Sequence, residues 1–493
     1  MNISELITVI VYDYLWVLPL VILILGVGAY LTFRTGFLQF SLFTQSFKIA
    51  KKSIIREKSD SSSNKTGLLS SFEAMSMALG TTIGVGNIGG VASAIALGGP
   101  GAVFWMWIAG LFGLVVKTVE ITLAVYYRSK NNVGESYGGP NYYIHKGIGI
   151  EKKRKILAKL LGFLFAFGYV LAIFINIQTY TVSEAVSGTF NFNINMVAII
   201  YTLALYVMIS GGTKQLGKIA TVIVPFMCIF YIVGGAVVIL LNIQNLIPSL
   251  SLIITSAFTK TAAMGGFAGA GVKLALTSGL SRSVFSNEAG WGSAPMIHAS
   301  AKINHPIKQG LLGIFEVFFD TGVICSLTAL VIIITGQWSS GLDGATLTLS
   351  AFESGMGSFG RIILTVGIFF FGLTTSSGVY TQIEVVLRYI LGDTPLKEKL
   401  LIGYKWFYPI PSAALVFIAS KQGLPGTTVW LISDAATAFP IFANMIALFM
   451  LTPVFLKLVS DYKARYLKEG KTDPDFNVFY EGSNEENEVD SAI

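Results

Sequence analysis

The chain has 493 residues, of which 53% are hydrophobic and only 12% are Asp, Glu, Lys or Arg. Soluble proteins carry about 25% charged residues, so this chain cannot clothe soluble domains, and secreted, disordered and collagen-like classes are excluded with them. The net charge of +7 does not call for nucleic acid, because the basic residues gather at the ends of apolar runs, where they set orientation in a bilayer.

Apolar runs between polar breaks predict an all-α polytopic protein with eleven membrane helices, near 15–33, 68–97, 101–127, 157–183, 196–210, 217–241, 252–279, 307–335, 361–390, 402–420 and 427–458. Glu5 and Asp13 precede the first run and no basic segment does, so that run is expected to stay as a span rather than be cleaved. Lys and Arg alternate between successive loops, and 29 of the 34 fall on one side. This predicts an external N-terminus and a cytoplasmic C-terminus in the cell membrane. Residues 1–460 read as one transmembrane domain. Segment 57–66 reads as a flexible cytoplasmic linker, and the tail 461–493 as a short helix followed by disorder, too polar to bury anything.

Two predicted helices are interrupted by glycine. The second holds Gly80-Thr81-Thr82-Ile83-Gly84-Val85-Gly86-Asn87-Ile88-Gly89-Gly90, and the seventh holds Gly265-Gly266-Phe267-Ala268-Gly269-Ala270-Gly271. Small residues also let helices pack closely. Yet the two stretches lie five spans apart and run in opposite directions, as the two copies of an inverted repeat would, one over about 68–241 and one over about 252–458.

An unwound stretch inside a bilayer frees backbone groups that must line a cavity and be satisfied there. The half-helix beginning near Asn87 presents N–H groups and a positive dipole end, suited to a carboxylate, and Gly84 and Gly86 let it approach the backbone. The carbonyls of Gly80 and Ile83, with hydroxyls from the run Thr374-Thr375-Ser376-Ser377, supply the hard oxygens a small cation needs. Those hydroxyls also have an alternative, bonding back within their own helix. Asn87 and Gln178 could equally be interhelical hydrogen bonds.

The run Gly98-Gly99-Pro100-Gly101-Ala102-Val103-Phe104-Trp105-Met106-Trp107-Ile108 resembles the signature of the alanine/glycine:cation symporter family, departing from it at Gly110. Gly86–Gly90, Gly138–Ile144 and Phe285–Gly290 resemble it too, and the likeness covers nearly the whole chain. The resemblance implies a LeuT-like fold of 5+5 inverted repeats, helices 2–6 and 7–11, behind an extra first helix. It implies symport of a small neutral amino acid with Na⁺, the coupling ion, and no other cofactor. Carried over, it places the substrate carboxylate at the amides near Gly84 and Gly86, with Asn87 beside it. Gln178 would contact the substrate, Phe267 and Ala270 would shape its side-chain pocket, and Na⁺ would sit among Gly80, Ile83, Thr374 and Thr375. A tryptophan is usual where this chain has Val379, so a larger substrate such as glutamine is expected if Val379 faces the site.

Charges inside apolar spans are costly. Lys117 and Glu120 are i,i+3 neighbours and read as a structural pair, whereas Glu316, Asp320, Glu384 and Asp434 are open to other roles; proton coupling, the rival to sodium, would fall to Glu316, Asp320 or Glu384. The segment Ser286–Gly290 reads as an inner gate or scaffold. Cys228 and Cys325 read as packing residues. The three histidines, His145, His298 and His305, form no metal-ligand spacing and no triad is apparent, so an enzyme is not expected. A receptor that binds without transporting is the remaining alternative.

Overall fold

The computed structural model describes residues 19–59, 69–130, 136–259, 271–392, 394–424, 426–473 and 476–481. In chain order its main helices are α1 (Val21–Arg34), α2 (Phe43–Ser59), α3 (Ser71–Thr82), α4 (Gly89–Gly98), α5 (Gly101–Tyr126), α6 (Lys155–Phe174), α7 (Ile177–Phe190), α8 (Ile194–Ser210), α9 (Gly212–Leu241), α10 (Leu246–Ser256) and α11 (Val272–Asn287). There follow α12 (Pro306–Ile334, with a π-helical turn at Phe318–Cys325), α13 (Gly344–Leu391), α14 (Lys397–Phe407), α15 (Pro409–Gln422) and α16 (Gly426–Tyr466). Two-residue strands, β1 (Ser129–Lys130) and β2 (Ser136–Tyr137), pair antiparallel in the loop after α5.

Seven of the described helical stretches are long and apolar enough to cross a membrane, or eight if the bent pair 71–82 and 85–98 is one span. Large apolar side chains such as Phe33, Phe163, Val207, Val222, Phe226 and Leu240 are exposed around the bundle. Such a surface is stable against lipid and not against water. The interior is built on α5, which packs between α11 and α12. Every residue from Gly113 to Val125 is buried, Lys117 and Glu120 included.

Helix α3 starts where its sequence says it should. The Ser70 hydroxyl accepts the Glu73 N–H at 3.0 Å, and the Glu73 carboxylate accepts the Ser70 N–H at 2.8 Å, a reciprocal cap on two otherwise unpaired amides. The helix loosens at its far end, where Thr81 and Thr82 hydroxyls bond back to the carbonyls of Met77 and Ala78.

Four expectations are corrected. The region 336–356, read as a loop, contains the first turns of α13. Ala345, Leu347, Leu349, Ala351 and Phe352 are buried there, and Gly357, with φ of 67°, kinks the helix before it continues. The span expected at 157–183 remains one span, Lys155–Phe190, but its helix is interrupted at Ile175–Asn176, where the Asn176 side chain accepts the Gln178 N–H at 3.2 Å and restarts it as α7. Residues 43–59, expected to be part of a loop, form the helix α2.

The tail also buries a side chain. Phe479 packs against Ile121 and Val125, with the Arg128 guanidinium 4.9 Å from its ring centre. The Lys146 ammonium donates to Glu481 at 2.6 Å and the Tyr480 N–H to the Tyr126 carbonyl at 3.0 Å, so residues 476–481 lie across the end of α5. Charge spacing hid an aromatic anchor. The acidic residues beyond 481, and Phe267 and Ala270 with the glycines from 265 to 269, lie outside the described residues. Helix α10 ends at Ser256 and the next described helix begins at Val272.

Candidate functional site

The break between α3 and α4 is where the sequence places it. Ile83 and Gly84 are extended (φ −82°, ψ 95° and φ −143°, ψ −154°), one 3₁₀ turn follows at Val85–Asn87, and the two half-helices meet at 46°. The Gly84 N–H, which in a continuous helix would serve the Gly80 carbonyl, donates instead to the Asn87 side-chain oxygen at 2.8 Å. The Asn87 N–H serves Gly84 rather than Ile83. The carbonyls of Gly80 and Ile83 therefore lose their helical donors at the middle of the span.

Gly80 regains one donor from across the interface. The Thr375 hydroxyl of α13 lies 3.2 Å from the Gly80 carbonyl oxygen. A Cβ on Gly84 would run into that same hydroxyl, and one on Gly378 into the hydroxyl of Thr81. Glycine is thus needed here for close helix approach. Of the other hydroxyls in the run, Thr374 bonds back to the carbonyls of Phe370 and Phe371, both at 3.1 Å, and Ser377 to Thr374 at 2.8 Å. Ser376 turns the other way, toward Tyr201 at 2.8 Å. Only Thr375 of the four reaches the break.

Val379 is buried one turn beyond Thr375, next to Gly378, on the side of α13 that meets α3. Tyr380 faces elsewhere, stacked on Tyr404 with ring centres 5.2 Å apart and only 3° between planes. Gln178 is buried at the restart of α7. Gly86 abuts the Phe285 ring and Gly89 the indole of Trp430. Phe285 and Trp430 meet edge to face at 5.3 Å, and the Arg282 guanidinium lies 4.9 Å from the indole ring centre while paired with Asp434. Aromatic side chains, rather than open space, flank the start of α4.

The amide of Asn87 leads into a buried polar network that sequence reasoning missed. Its side-chain nitrogen donates to Asp320 at 2.5 Å, and the Asp320 carboxylate also accepts from Ser286 at 2.9 Å and Thr321 at 2.9 Å. The Thr328 hydroxyl donates to the Asn87 carbonyl at 2.7 Å, so that residue is held on every side. Thr321 accepts from Asn287 at 3.0 Å, and the Asn287 carbonyl accepts from Lys117 at 2.7 Å. Lys117 also lies 3.6 Å from Glu316, whose other oxygen is 2.7 Å from His298; His298 contacts Gln309 at 2.7 Å, and Gln309 accepts from Ser71 at 2.6 Å. This chain of contacts runs from the start of α3 to its end. Glu120 is not the partner of Lys117: it accepts from Asn444 of α16. The signal that could have found the network is the presence of the carboxylates Glu120, Glu316 and Asp320 on apolar helices beside Lys117, more than one ammonium can neutralise, which demands neutral donors from elsewhere.

Among the described residues, no group of three or more His, Cys, Asp or Glu side chains could hold a metal ion. What the arrangement offers is freed carbonyls and one hydroxyl where α3 meets α13, hard oxygen donors rather than the nitrogen and sulfur ligands of a transition metal.

A broken, glycine-lined span inside an apolar bundle defines a membrane transporter, not an enzyme, and the relatives agree. The profile of the sodium:alanine symporter family matches residues 1–478, and the chain belongs to that family. It is 39% identical over 455 residues to an uncharacterized transporter of Haemophilus influenzae, covering 92% of this chain and 95% of that protein. It is 37% identical to the sodium/alanine symporter AgcS of Methanococcus maripaludis, covering 92% and 95% respectively. It is 36% identical to the probable sodium/glutamine symporter GlnT of Bacillus subtilis, covering 97% and 94%.

Proposed function

We propose that the chain carries a small neutral amino acid into the cell together with Na⁺, by alternating access about the break in α3 and α4. The observation that carries this reading is the pair of carbonyls, Gly80 and Ile83, released from the helix beside the Thr375 hydroxyl. Na⁺ binds there, with the Thr374 hydroxyl joining once it leaves the carbonyls of Phe370 and Phe371. The substrate carboxylate meets the amides near Gly84 and Gly86, with Asn87 beside it, Gln178 contacting the substrate, and Phe267 and Ala270 shaping the side-chain pocket. Because the Gly84 N–H is taken by Asn87 and Gly86 is covered by Phe285, the substrate enters a conformation in which these two contacts have opened.

The names of AgcS and GlnT, an alanine and a glutamine symporter, bracket the substrate size. Counting α1, α8 and the helix Ile243–Ser256 as short spans beside the eight longer ones gives the eleven that a LeuT-like 5+5 arrangement behind an extra helix requires. The lysine and arginine distribution puts the N-terminus outside and the C-terminus in the cytoplasm. One Na⁺ entering down a 100 mV potential gains about 2.3 kcal/mol, and a tenfold gradient adds about 1.4 kcal/mol. Together they support accumulation of several hundredfold.

The test is uptake of labelled alanine, glycine and glutamine into proteoliposomes with an imposed Na⁺ or proton gradient. Uptake that requires Na⁺ and is weakened in apparent sodium affinity by Thr375→Ala supports the reading. Uptake driven as well by protons when choline replaces Na⁺ overturns the ion, and binding without accumulation overturns transport.

A further inference from the structure

A recess of about 550 Å³ lies outside the transport region, between α6, the turn that precedes it and the end of α13. One face of α6 forms its length. Lys155 and Lys159 stand at one end, and Gly162, Phe163, Ala166 and Phe167 continue from them at helical spacing. The helix therefore presents a cationic end followed by an apolar stripe. Both lysines are exposed, and neither forms an ion pair among the described residues. No carboxylate lines the recess.

Two features separate this recess from an ordinary lipid-facing helix. Gly162 opens the floor, since an added Cβ there would meet no atom within 4 Å. Phe163 and Phe167, 64% and 40% exposed, stack on each other with ring centres 6.0 Å apart and form one wall beside it. Lys152, Lys153 and Arg154 lie just before the recess and do not line it.

We propose that this recess holds one anionic phospholipid from the bilayer, its phosphate on Lys155 and Lys159 and an acyl chain along Gly162, Phe163, Ala166 and Phe167. Cation and apolar stripe are joined in the order that phosphate and acyl chain require. About 1 kcal/mol per basic residue near an anionic surface converts to about fivefold for each lysine, and about thirtyfold for the pair, in preference over a zwitterionic lipid.

The full-length protein, purified and relipidated with equal amounts of phosphatidylglycerol and phosphatidylcholine, is examined by native mass spectrometry. The parent should retain one phosphatidylglycerol in at least tenfold excess. Lys155→Gln with Lys159→Gln should reduce that excess to below threefold, and Gly162→Phe, which fills the floor from an open position, should displace lipid of either kind. Lys152→Gln with Lys153→Gln, outside the recess, should change the excess by less than twofold. Thermal unfolding of each variant within a few degrees of the parent shows that the fold is intact. The proposal fails if the lining and outlying lysine pairs lower retention equally, if Gly162→Phe retains lipid like the parent, or if millimolar inorganic phosphate removes the lipid.

Discussion

Asn87 and Asp320 exchange their roles in a prediction that isolates one bond at the break. The Asn87 nitrogen donates to Asp320 at 2.5 Å, while its oxygen accepts the Gly84 N–H at 2.8 Å. Asn87→Asp sets two buried carboxylates against each other and removes a charge-assisted bond, costing about 2–3 kcal/mol. Asp320→Asn leaves three donors, from Asn87, Ser286 and Thr321, around a neutral amide with one oxygen, at a cost of about 3 kcal/mol. In the double variant, a carboxylate at 87 still accepts from Gly84, the amide at 320 donates to it, and the two hydroxyls turn to the remaining oxygen.

The swap should therefore recover about 2 kcal/mol relative to the sum of the single losses, close to thirtyfold in the fraction of competent protein. Uptake rate per folded transporter and midpoint of thermal unfolding are measured for the parent, both single variants and the double variant. If the two losses add to within about 0.5 kcal/mol, the pair does not hold the break and the network has been misread.

Other outcomes follow from single contacts. Val379→Trp should exclude glutamine and retain alanine or glycine in competition uptake, and an unchanged profile would remove Val379 from the pocket wall. Lys117→Met should lose about 3–5 kcal/mol by stranding Glu316, seen as a loss of monodisperse protein, and adding Glu316→Gln should restore at least half of the yield. With both native cysteines buried, a cysteine introduced at Gln244 should react with an impermeant maleimide in intact cells, and one at Asp60 should not. Phe479→Ala should cost about 2 kcal/mol of local packing and speed proteolysis of the tail while leaving the membrane helices protected.

Much of the helix order was readable because a bilayer-spanning helix has to be long and apolar, and glycine marks where it breaks. The cap at Ser70 and Glu73 and the break at Ile83–Gly84 follow from local residue types alone. What local pattern hid was anything decided by a distant partner. The stretch after Gly344 falls between two apolar runs and so reads as a loop, yet the Thr348 hydroxyl donates to the Ile88 carbonyl at 3.1 Å and Ala345 lies against Gly89. Its helical turns are stabilised by covering α4, and nothing in their own composition says so. Likewise, four hydroxyls in a row at Thr374–Ser377 are equivalent in sequence, and only the rotation of α13 against α3 singles out Thr375.

Lys117 shows why charge inside a membrane is hard to assign from spacing. Its i,i+3 relation to Glu120 is sound helical geometry, and on an exposed helix such a pair would stabilise by a few tenths of a kcal/mol. Helix α5 is buried on all sides over this stretch, so partners on α11, α12 and α16 can offer closer, desolvated contacts worth more. Lys117 takes the Asn287 carbonyl and lies near Glu316, while Glu120 takes Asn444. The cost of burying each charge then falls on several helices at once. Because the same chain of contacts begins at Ser71 and ends at the cap on Gly84, a shift of α12 relative to α3 cannot leave the break unchanged. In the proposed function, movement at either end of α3 would reach the carbonyls of Gly80 and Ile83 through these contacts, as coupling an ion to a change of access requires.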